Sequence, residues 1–333
     1  MEKYIELINK KLDEYMPINY PNKIFKAMKY TVTLPGKRLR PVMCLECCNM
    51  FGGNIEDAVP AACAIEMLHA QTLIHDDLPC VDNDNYRRGQ LTNHMVFGEA
   101  NAVLAGDALL TFAPQIILKY SKQLGAEKLI RIMEEYFRAA GAYGVIAGQV
   151  VDIESEKLIS EGLRTGGIDV WQSHEEQCSG DSESKLFNDN SYTSIPPHLH
   201  TSNDTDFDFY AQTLNYIHTH KTADLFKLAL RTGAIIADAN EKQLEEITEF
   251  GQYMGVAFQI ADDILDVTSS FEKMGKTIGK DEQEGKLTYV SLYGLEKAKQ
   301  DLNSLIDKCF EIFKNNNLKS EIFAQILNKI RIS

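Results

Sequence analysis

The chain has 333 residues, 44% of them hydrophobic, and a formal net charge of −14 at pH 7. This length and composition allow one large domain or two with a sizeable core, and the acidic balance argues against a nucleic-acid-binding function. The charged start of the chain lacks the pattern of a signal peptide, and without a run of about 18 apolar residues we expect no transmembrane segment.

Apolar residues recur at helical spacing through long stretches of the chain, with little of the strict alternation that is typical of strands. The clearest stretches are residues 16–32, 101–120, 127–141 and 241–265. Only nine prolines interrupt the chain. This pattern predicts an all-α protein.

The first basic motif, PGKRLRP, follows a Pro-Gly breaker and is predicted to form the first turns of a helix. Backbone N–H groups and the helix dipole favour anions there, so we interpret the motif as a phosphate clamp. Its candidate residues are Gly36, Lys37, Arg38 and Arg40. Later basic groups that we interpret in the same way are Arg87 with Arg88, Lys221 with Thr222, Lys276 and Lys286. Any one of these groups alone is typical of a solvated surface, but together they favour a polyanion site.

Two aspartate clusters lie far apart in the sequence, each within an otherwise apolar stretch. Carboxylates in such surroundings repel one another and are costly to desolvate unless a cation neutralises them. Magnesium prefers oxygen ligands and usually binds through a few carboxylates plus substrate phosphates. The clusters therefore predict facing walls of a cavity that holds Mg²⁺ ions and a polyanionic ligand. They consist of Asp76, Asp77 and Asp82, and of Asp262, Asp263 and Asp266.

Helix geometry adds two further candidates to the aspartate clusters. His69 lies seven residues before Asp76, and Gln259 lies seven before Asp266 with Asp262 between them. Residues with this spacing share one face of a helix. A lone histidine on an apolar helix is more often a core residue, but the shared face with Asp76 favours a substrate contact for His69.

From Ser160 to Phe209 the helical spacing is lost, and the segment has ten acidic residues against two basic ones. Its low hydrophobicity and high net charge predict a loop or a disordered acidic insertion. The segment contains Trp171 and three histidines, which we interpret as solvated side chains rather than metal ligands. The histidines are His174, His198 and His200.

The seven cysteines lie mostly in apolar helical contexts, without the spacing of a disulfide framework. This usage is typical of reduced thiols. We therefore expect a cytoplasmic protein, or one in an organelle stroma such as that of a plastid if a transit peptide has been removed.

The order of the motifs resembles that of the short-chain trans-prenyltransferases of bacterial and plastid type. The matching motifs are GKRLRP, HDDLPCVDND, RRG, GQVVDIESE, HKTADLF, FQIADDILD and GKTIGKDEQEGKLTYV. The similarity runs from about Lys23 to about Lys299, apart from the acidic segment. The resemblance implies an all-α fold of the isoprenoid synthase type, a single bundle of long helices around a deep central cavity. It implies one domain spanning residues 1–333, within which residues 160–209 contain an insertion. It also implies a homodimer.

The resemblance implies head-to-tail condensation of isopentenyl diphosphate with dimethylallyl, geranyl or farnesyl diphosphate. About three Mg²⁺ ions, for which Mn²⁺ could substitute, would assist ionisation to an allylic carbocation. The implied metal ligands are Asp76, Asp77, Asp82, Asp262, Asp263 and Asp266. The implied catalytic residues are Asp76, Asp82, Asp262, Arg87, Lys221 and Lys276. The implied substrate contacts are Gly36, Lys37, Arg40, His69, Arg87, Arg88, Lys221, Thr222, Gln259, Lys276 and Lys286.

Product length is expected to depend on the helix that carries the first aspartate cluster. The growing isoprenoid should run along it, so side chains one turn or more before Asp76 would form the cavity floor. These are Leu68, Gln71 and Thr72. Related farnesyl diphosphate synthases tend to have a bulky aromatic residue at the position of Gln71. The unbranched glutamine, which needs a hydrogen-bond partner when buried, favours geranylgeranyl diphosphate, with farnesyl diphosphate as the alternative.

Two other functions are alternatives. A class I terpene cyclase is also all-α and magnesium-dependent, but it normally has an Asn/Ser/Glu pattern in place of the second aspartate cluster. A non-catalytic subunit of a heteromeric prenyl synthase typically lacks one acidic cluster or the arginine pair. Both clusters and the pair Arg87-Arg88 are present in this chain, which favours a catalytic prenyltransferase.

Overall fold

Helices account for nearly all of the structure, a computed structural model that describes residues 1–165, 205–268 and 286–331. The first range contains α1 (Glu2–Tyr15), α2 (Asn22–Thr33), α3 (Leu39–Met50), α4 (Ile55–Asp76), α5 (Asn93–Phe97), α6 (Glu99–Tyr120), α7 (Gly125–Ala140) and α8 (Val145–Thr165). The other two contain α9 (Thr205–Ile217), α10 (Asp224–Ile236), α11 (Glu241–Thr268), α12 (Tyr289–Tyr293), α13 (Leu295–Asn315) and α14 (Glu321–Ile330). A short 3₁₀ helix spans Lys122–Leu124, and a π-helical turn spans His218–Ala223.

The α4 helix is the central element of the bundle. Asn54 caps its start, where the side-chain Oδ1 accepts a hydrogen bond from the Glu56 backbone N–H at 3.2 Å. The helix is buried along its length from Ala58 to Leu68, because α3, α6 and α10 pack around it. Its last residue is Asp76, so the core helix carries the first aspartate cluster to the end of the bundle.

The α11 helix carries the second cluster. Its 28 residues span about 42 Å at the usual helical rise. Leu244, Ile247, Phe250 and Met254 are buried and recur at helical spacing, so this face packs against α10 and α13. Further along the same helix, the three aspartates lie close to its C-terminal end.

Two glycines let neighbouring helices approach the π-helical turn at His218–Ala223. A Cβ at Gly255 on α11 would lie 2.5 Å from the Cα of Ala223. A Cβ at Gly148 on α8 would lie 2.3 Å from the backbone nitrogen of Lys221. Only glycine fits at contacts this close. The turn is thereby held between α8 and α11 and presents Lys221 between them.

A small hairpin is the one antiparallel sheet within the described ranges. Its strands are β1 (Tyr86–Arg87) and β2 (Gln90–Leu91), with Tyr86 opposite Leu91 and Arg87 opposite Gln90. The turn residues Arg88 and Gly89 have φ values of 54° and 74°, which is typical of a type I′ turn. The Tyr30 hydroxyl donates to the Leu91 carbonyl at 2.7 Å and anchors the hairpin to α2.

One helix in the described parts of the chain, α6, has the length and apolar composition of a membrane span, and 44% of that window is buried inside the bundle. It packs against α2, α4, α5 and α7. A core helix of a helical bundle has the same length and apolar composition, so these two properties alone are weak evidence for a membrane span.

The structure confirms the prediction of an all-α protein and corrects the bounds of the acidic segment. The predicted loss of helix from Ser160 to Phe209 does not hold at either end, because α8 continues to Thr165 and α9 begins at Thr205. The start of α9 is packed, since the ring of Phe207 meets that of Tyr293 edge-on at 5.6 Å. Residues 166–204, with Trp171 and the three histidines, lie outside the described residues, so the predicted loop there stays a prediction.

The cysteines within the described ranges are free thiols. Five are buried and Cys80 is exposed. The buried ones are Cys44, Cys47, Cys48, Cys63 and Cys309. Cys178 lies outside the described residues.

The close approach at Gly255 generates a stability prediction. Gly255→Ala is expected to destabilise the fold by about 1–3 kcal/mol, because the new methyl group would overlap the backbone of Ala223. The matched control is Gly251→Ala on the same helix, where the nearest atom is a methyl carbon of the flexible Leu230 side chain at 2.9 Å. Thermal unfolding should show a clear loss for the first variant and a smaller one for the second. Equal losses would contradict the packing argument.

Candidate active site

A cavity of about 500 Å³ lies where α4, the hairpin, α8, the π-helical turn and α11 meet. Members of both predicted aspartate clusters line it together. The lining carboxylates are Asp76, Asp82, Asp84, Asp152, Asp262, Asp263 and Asp266. The lining basic side chains are Lys37, Arg40, His69, Arg87, Arg88, His218, Lys221 and Lys286.

A larger cavity of about 690 Å³ lies between α1, the start of α3, and α14. It shares Lys37 and Phe258 with the first cavity, and Glu2 is its one lining carboxylate. Because polyanion chemistry through metal ions needs several oxygen ligands, the acid-lined cavity is the candidate active site.

The two adjacent aspartates of the first cluster, Asp76 and Asp77, have different surroundings. Asp76, the last residue of α4, lines the cavity. Asp77, which the sequence groups with the predicted metal ligands, does not line it and is only 2% exposed. Successive helical residues point about 100° apart, so Asp77 faces the hairpin, where its Oδ1 accepts a hydrogen bond from Arg87 Nε at 2.6 Å. Burial raises the pKa of Asp77 to about 7, against the opposing effect of Arg87.

Asp82 returns to the cavity because the chain folds back on the end of α4, where its N–H donates to the Asp76 carbonyl at 2.9 Å. The Lys286 ammonium lies 3.2 Å from its Oδ1. Burial acts to raise the pKa of Asp82, but the charges of Lys286 and Lys221 outweigh burial and hold the pKa below its usual value. Asp82 is therefore ionised at neutral pH. Asp84, which the sequence analysis did not select, also lines the cavity and lies 3.4 Å from Arg87 Nη2.

Lys221 on the π-helical turn is a fixed positive charge at the centre of the site. Its Nζ donates to Asp152 Oδ2 at 2.5 Å. Burial acts to lower the pKa of Lys221, but Asp152, Asp76 and Asp82 together raise it to about 12. Asp152 on α8 is not among the site residues predicted from the sequence. The available signal was its helical spacing from Gln149, three residues earlier on the same face, and both line the cavity.

In the second cluster, Asp262 and Asp266 line the cavity, while the oxygens of Asp263 are engaged by protein donors. Asp263 Oδ1 accepts from Gln259 Nε2 at 3.0 Å, and Oδ2 accepts from the Tyr289 backbone N–H at 2.7 Å. Gln259 in turn accepts from the Thr222 hydroxyl at 2.8 Å.

This chain of hydrogen bonds changes the interpretation of three predicted site residues. Asp263, predicted as a metal ligand, links α11 to the start of α12. Gln259 and Thr222, predicted as substrate contacts, line the cavity but are paired with each other. All three side chains are thereby held in fixed orientations along the wall that carries Asp262.

A basic group lines the cavity near the start of α3. Arg40 Nη1 lies 3.4 Å from His69 Nε2, and the Arg40 guanidinium lies over the Phe226 ring, 5.0 Å from its centroid. Burial and the charge of Arg40 hold the pKa of His69 well below its usual value, so the imidazole is neutral. Burial lowers the pKa of Arg40 to about 10, which leaves it charged at neutral pH.

Three buried nitrogen atoms in the lining lack a hydrogen-bond partner within the described residues. They are Arg40 Nε, His69 Nδ1 and Gln149 Nε2. Because His69 Nε2 faces a guanidinium donor, the imidazole proton is assigned to Nδ1. All three atoms are then hydrogen-bond donors. Donors left unsatisfied in a buried site are costly, so Arg40 and His69, which lie beside each other, suit an oxygen-rich anion.

The motif PGKRLRP lies in the loop before α3, and not on the first turns of a helix as predicted, since the helix begins at Leu39. Gly36 lies beside the hairpin turn, where a Cβ would be 2.5 Å from Arg88 Nη1. Glycine at this position thus makes room for the Arg88 guanidinium. Lys37 is exposed at the cavity edge.

Arg38 is not a phosphate clamp, contrary to the prediction. Its side chain is 3% exposed and points into the core, where Nη1 donates to Glu66 Oε1 at 2.6 Å. Its backbone has φ 48° and ψ 38°, a left-handed conformation that disfavours a residue with a Cβ by roughly 1–2 kcal/mol. The hydrogen bonds of the side chain therefore hold the backbone in this conformation.

Of the three residues predicted to form the cavity floor, only Thr72 lines the cavity. Leu68 is fully buried in the core. Gln71 Nε2 lies 3.1 Å from His75 Nδ1, so the glutamine has the partner that a buried amide needs. His75 Nε2 in turn lies 3.1 Å from the Val103 carbonyl on α6, which ties this part of α4 to its neighbour.

Lys276, predicted as a catalytic and substrate-binding residue, lies outside the described residues, and its role stays a prediction.

The donor set of the cavity fits a hard divalent cation. The described residues contain no group of three His, Cys, Asp or Glu side chains converging on one point, as a zinc or calcium cage would require. Mg²⁺ binds through one or two carboxylates and completes its shell with water and phosphate oxygens. Asp76, Asp82 and Asp262 offer such carboxylates from two walls.

Comparisons of sequence agree with this chemistry. Residues 21–165 and 197–330 match a family model described as polyprenyl synthetase. A dimethylallyltranstransferase from Fischerella ambigua is 39% identical over 91% of this chain and 74% of the relative. A chloroplastic geranylgeranyl pyrophosphate synthase from Catharanthus roseus is 38% identical over 88% and 69%. A geranylgeranyl diphosphate synthase from Cyanophora paradoxa is 35% identical over 92% and 86%.

Solved structures share the fold over almost the whole chain. An FPP/GFPP synthase from Zymomonas mobilis in its apo form has a TM-score of 0.74 and 27% identity, with 99% of this chain and 97% of that chain covered. A geranyltransferase from Helicobacter pylori, complexed with magnesium and isoprenyl diphosphate, has a TM-score of 0.74 and 25% identity, with 99% and 94% covered. These likenesses confirm the predicted type of helical bundle.

Proposed function

The chain belongs to the polyprenyl synthetase family, and from that premise we propose that it condenses isopentenyl diphosphate head-to-tail with an allylic diphosphate. The observation that carries the proposal is one cavity lined by two contrasting groups of side chains. Aspartates from α4 and α11 form the acidic group, and residues near the start of α3 contribute to the basic group. The fold is that of the isoprenoid synthases.

The aspartate side fits the allylic diphosphate, whose leaving group must be neutralised. Bound Mg²⁺ would act there as a Lewis acid and template, held by Asp76, Asp82 and Asp262. We propose about three ions, with Mn²⁺ as a substitute, because the diphosphate and the two walls together offer enough oxygen ligands for several octahedral shells. Lys221 and Arg87 contribute fixed positive charge, which requires no reorganisation as the leaving group gains negative charge.

The basic side fits the diphosphate of isopentenyl diphosphate. Lys37, Arg40 and Arg88 supply positive charge without a facing carboxylate cluster, and His69 supplies a neutral N–H. Holding this substrate against the allylic carbon converts a bimolecular encounter into a reaction between positioned groups.

Condensation then proceeds by ionisation, attack and proton loss. The allylic carbon–oxygen bond breaks, and its electron pair leaves with the diphosphate. The double bond of isopentenyl diphosphate attacks the resulting cation and forms the new carbon–carbon bond. The product double bond forms as a proton is lost, and we propose that the released diphosphate accepts it. Leu73, Leu225 and Phe258 line the cavity and would exclude water from the cation.

We propose geranylgeranyl diphosphate as the main product. The support is the group of relatives named geranylgeranyl pyrophosphate synthases at 38–40% identity and the absence of an aromatic residue at position 71. Farnesyl diphosphate is the second candidate, favoured by the structural likeness to an FPP/GFPP synthase.

We propose that the chain acts as a homodimer. Large apolar side chains are exposed on three consecutive helices, namely Val103 and Leu104 on α6, Ile130 and Phe137 on α7, and Ile146 on α8. Exposed apolar side chains on neighbouring helices are typical of an interface between subunits. A cytoplasmic or organelle-stroma location stays a prediction from the free thiols.

Loss of either aspartate wall should abolish turnover. Asp76→Ala or Asp262→Ala removes a metal ligand and is expected to lower kcat by about 10²–10³-fold, because a diphosphate leaving group stays partly unneutralised. The matched control is Asp57→Ala at the start of α4, away from the cavity. The measurement is a radiolabelled isopentenyl diphosphate assay on the purified chain.

The same assay distinguishes the alternatives. A non-catalytic subunit would be inactive alone, and a terpene cyclase would release hydrocarbon from an allylic diphosphate without consuming isopentenyl diphosphate. Near wild-type kcat in either cavity variant after EDTA treatment would refute the role of the two clusters.

A second prediction concerns product length. Thr72→Tyr should shift the product from geranylgeranyl to farnesyl diphosphate, because Thr72 is the predicted floor residue that lines the cavity and the ring adds bulk there. Thr72→Val is the matched control, since it keeps a branched side chain of similar size, and it should leave the product unchanged. Chromatography of the dephosphorylated products checks both. Farnesol as the main product of the unmodified enzyme would disprove the proposed chain length.

A further inference from the structure

We propose that the buried ion pair between Arg38 and Glu66 positions the loop that binds the second substrate. In this role Arg38 does not touch isopentenyl diphosphate but acts through its neighbours Lys37 and Arg40. The inference rests on the proposed function and assigns a positioning residue to it.

The contacts of Arg38 connect three parts of the fold. Its Nη1 donates to Glu66 Oε1 on α4 at 2.6 Å, its Nε to Asn9 Oδ1 on α1 at 2.9 Å, and its Nη2 to the Leu34 carbonyl at 2.9 Å. The side chains of Arg38 and Glu66 are 3% and 4% exposed. A guanidinium can reach all three acceptors at once because its donors form a rigid planar fork.

These contacts determine where the flanking residues point. Arg38 has a left-handed backbone immediately before the first residue of α3. Its own side chain enters the core, while Lys37 on one side and Arg40 on the other line the cavity. Releasing Arg38 from its acceptors would free the loop to adopt an ordinary backbone and would move both cavity residues.

Glu66 also connects the loop to the rest of the site, because it lies on α4, the helix that carries His69 and Asp76. It lies three residues before His69, on the same helical face, and His69 Nε2 lies 3.4 Å from Arg40 Nη1. The same helix ends at Asp76, about 15 Å further along its axis. The residues proposed to bind the two diphosphates are thus positioned by one rigid helix, α4. Arg38 connects the loop to this helix.

The charge of Glu66 serves the same group of side chains. Burial lowers the pKa values of Arg40 and Arg88, and the negative charge of Glu66 opposes this shift for both. Glu66 therefore neutralises the buried Arg38 and helps to keep the two cavity arginines ionised for an anionic ligand.

A second ion pair, which is partly buried, provides the control. Arg231 on α10 donates through Nε and Nη2 to Glu135 Oε1 on α7 at 2.8 and 2.6 Å. Neither residue lines the cavity. Replacing Arg231 by lysine is the same chemical change as Arg38→Lys in a pair that packs two helices without holding a substrate loop.

The experiment compares Arg38→Lys and Arg231→Lys in steady-state kinetics of the full chain, with isopentenyl and geranyl diphosphate varied in turn. A lysine ammonium can reach Glu66 but not all three acceptors. Arg38→Lys should raise the KM for isopentenyl diphosphate about tenfold and leave kcat and the KM for geranyl diphosphate within about twofold. Arg231→Lys should leave both KM values within about twofold, although both variants lower Tm.

Asn9→Ala keeps the test decisive if Arg38→Lys does not fold. It removes one acceptor from the exposed side of α1 and should raise the KM for isopentenyl diphosphate about threefold. An unchanged KM for isopentenyl diphosphate, an equal rise in both KM values, or the same effect from Arg231→Lys would overturn the inference. Absence of condensation by the unmodified enzyme would instead refute the proposed function itself.

Discussion

The constraint on which this structure depends is the concentration of carboxylates in one cavity at the end of a helical core. Seven aspartates line it, and like charges at short range destabilise one another unless cations lie between them. The protein supplies part of that charge through Lys221, held by Asp152, and Lys286, beside Asp82. The negative charge that remains makes the cavity a site for divalent metal ions.

The same constraint explains why the metal and the ligand are expected to bind together. A diphosphate adds negative charge to a cavity that is already acidic, so it is held only if metal ions enter with it. The basic side of the cavity differs, because Lys37, Arg40 and Arg88 can bind an anion directly, without a metal ion. This asymmetry allows one cavity to ionise one diphosphate and to retain the other intact, which is the requirement of a condensation between two diphosphates.

The sequence was sufficient to predict the fold class, both aspartate clusters and most of the basic side chains, because helical spacing and clustered charge are local patterns. It failed where orientation depends on distant contacts. Asp77 was grouped with Asp76, yet α4 ends there and Asp77 faces the hairpin. Asp152 was missed because its partner, Lys221, lies far away in the sequence. Arg38 was assigned to phosphate because the motif alone does not reveal a buried partner on another helix.

The most direct test is the linkage between Mg²⁺ and a diphosphate, measured by isothermal titration of the purified protein with inorganic pyrophosphate. If the acidic cavity is the site, Mg²⁺ should tighten pyrophosphate binding by at least about tenfold, and pyrophosphate should tighten Mg²⁺ binding by the same factor. Asp262→Asn should reduce this coupling. Equal pyrophosphate affinity with Mg²⁺ and with EDTA would contradict the account, because the carboxylates would then not act through a shared metal.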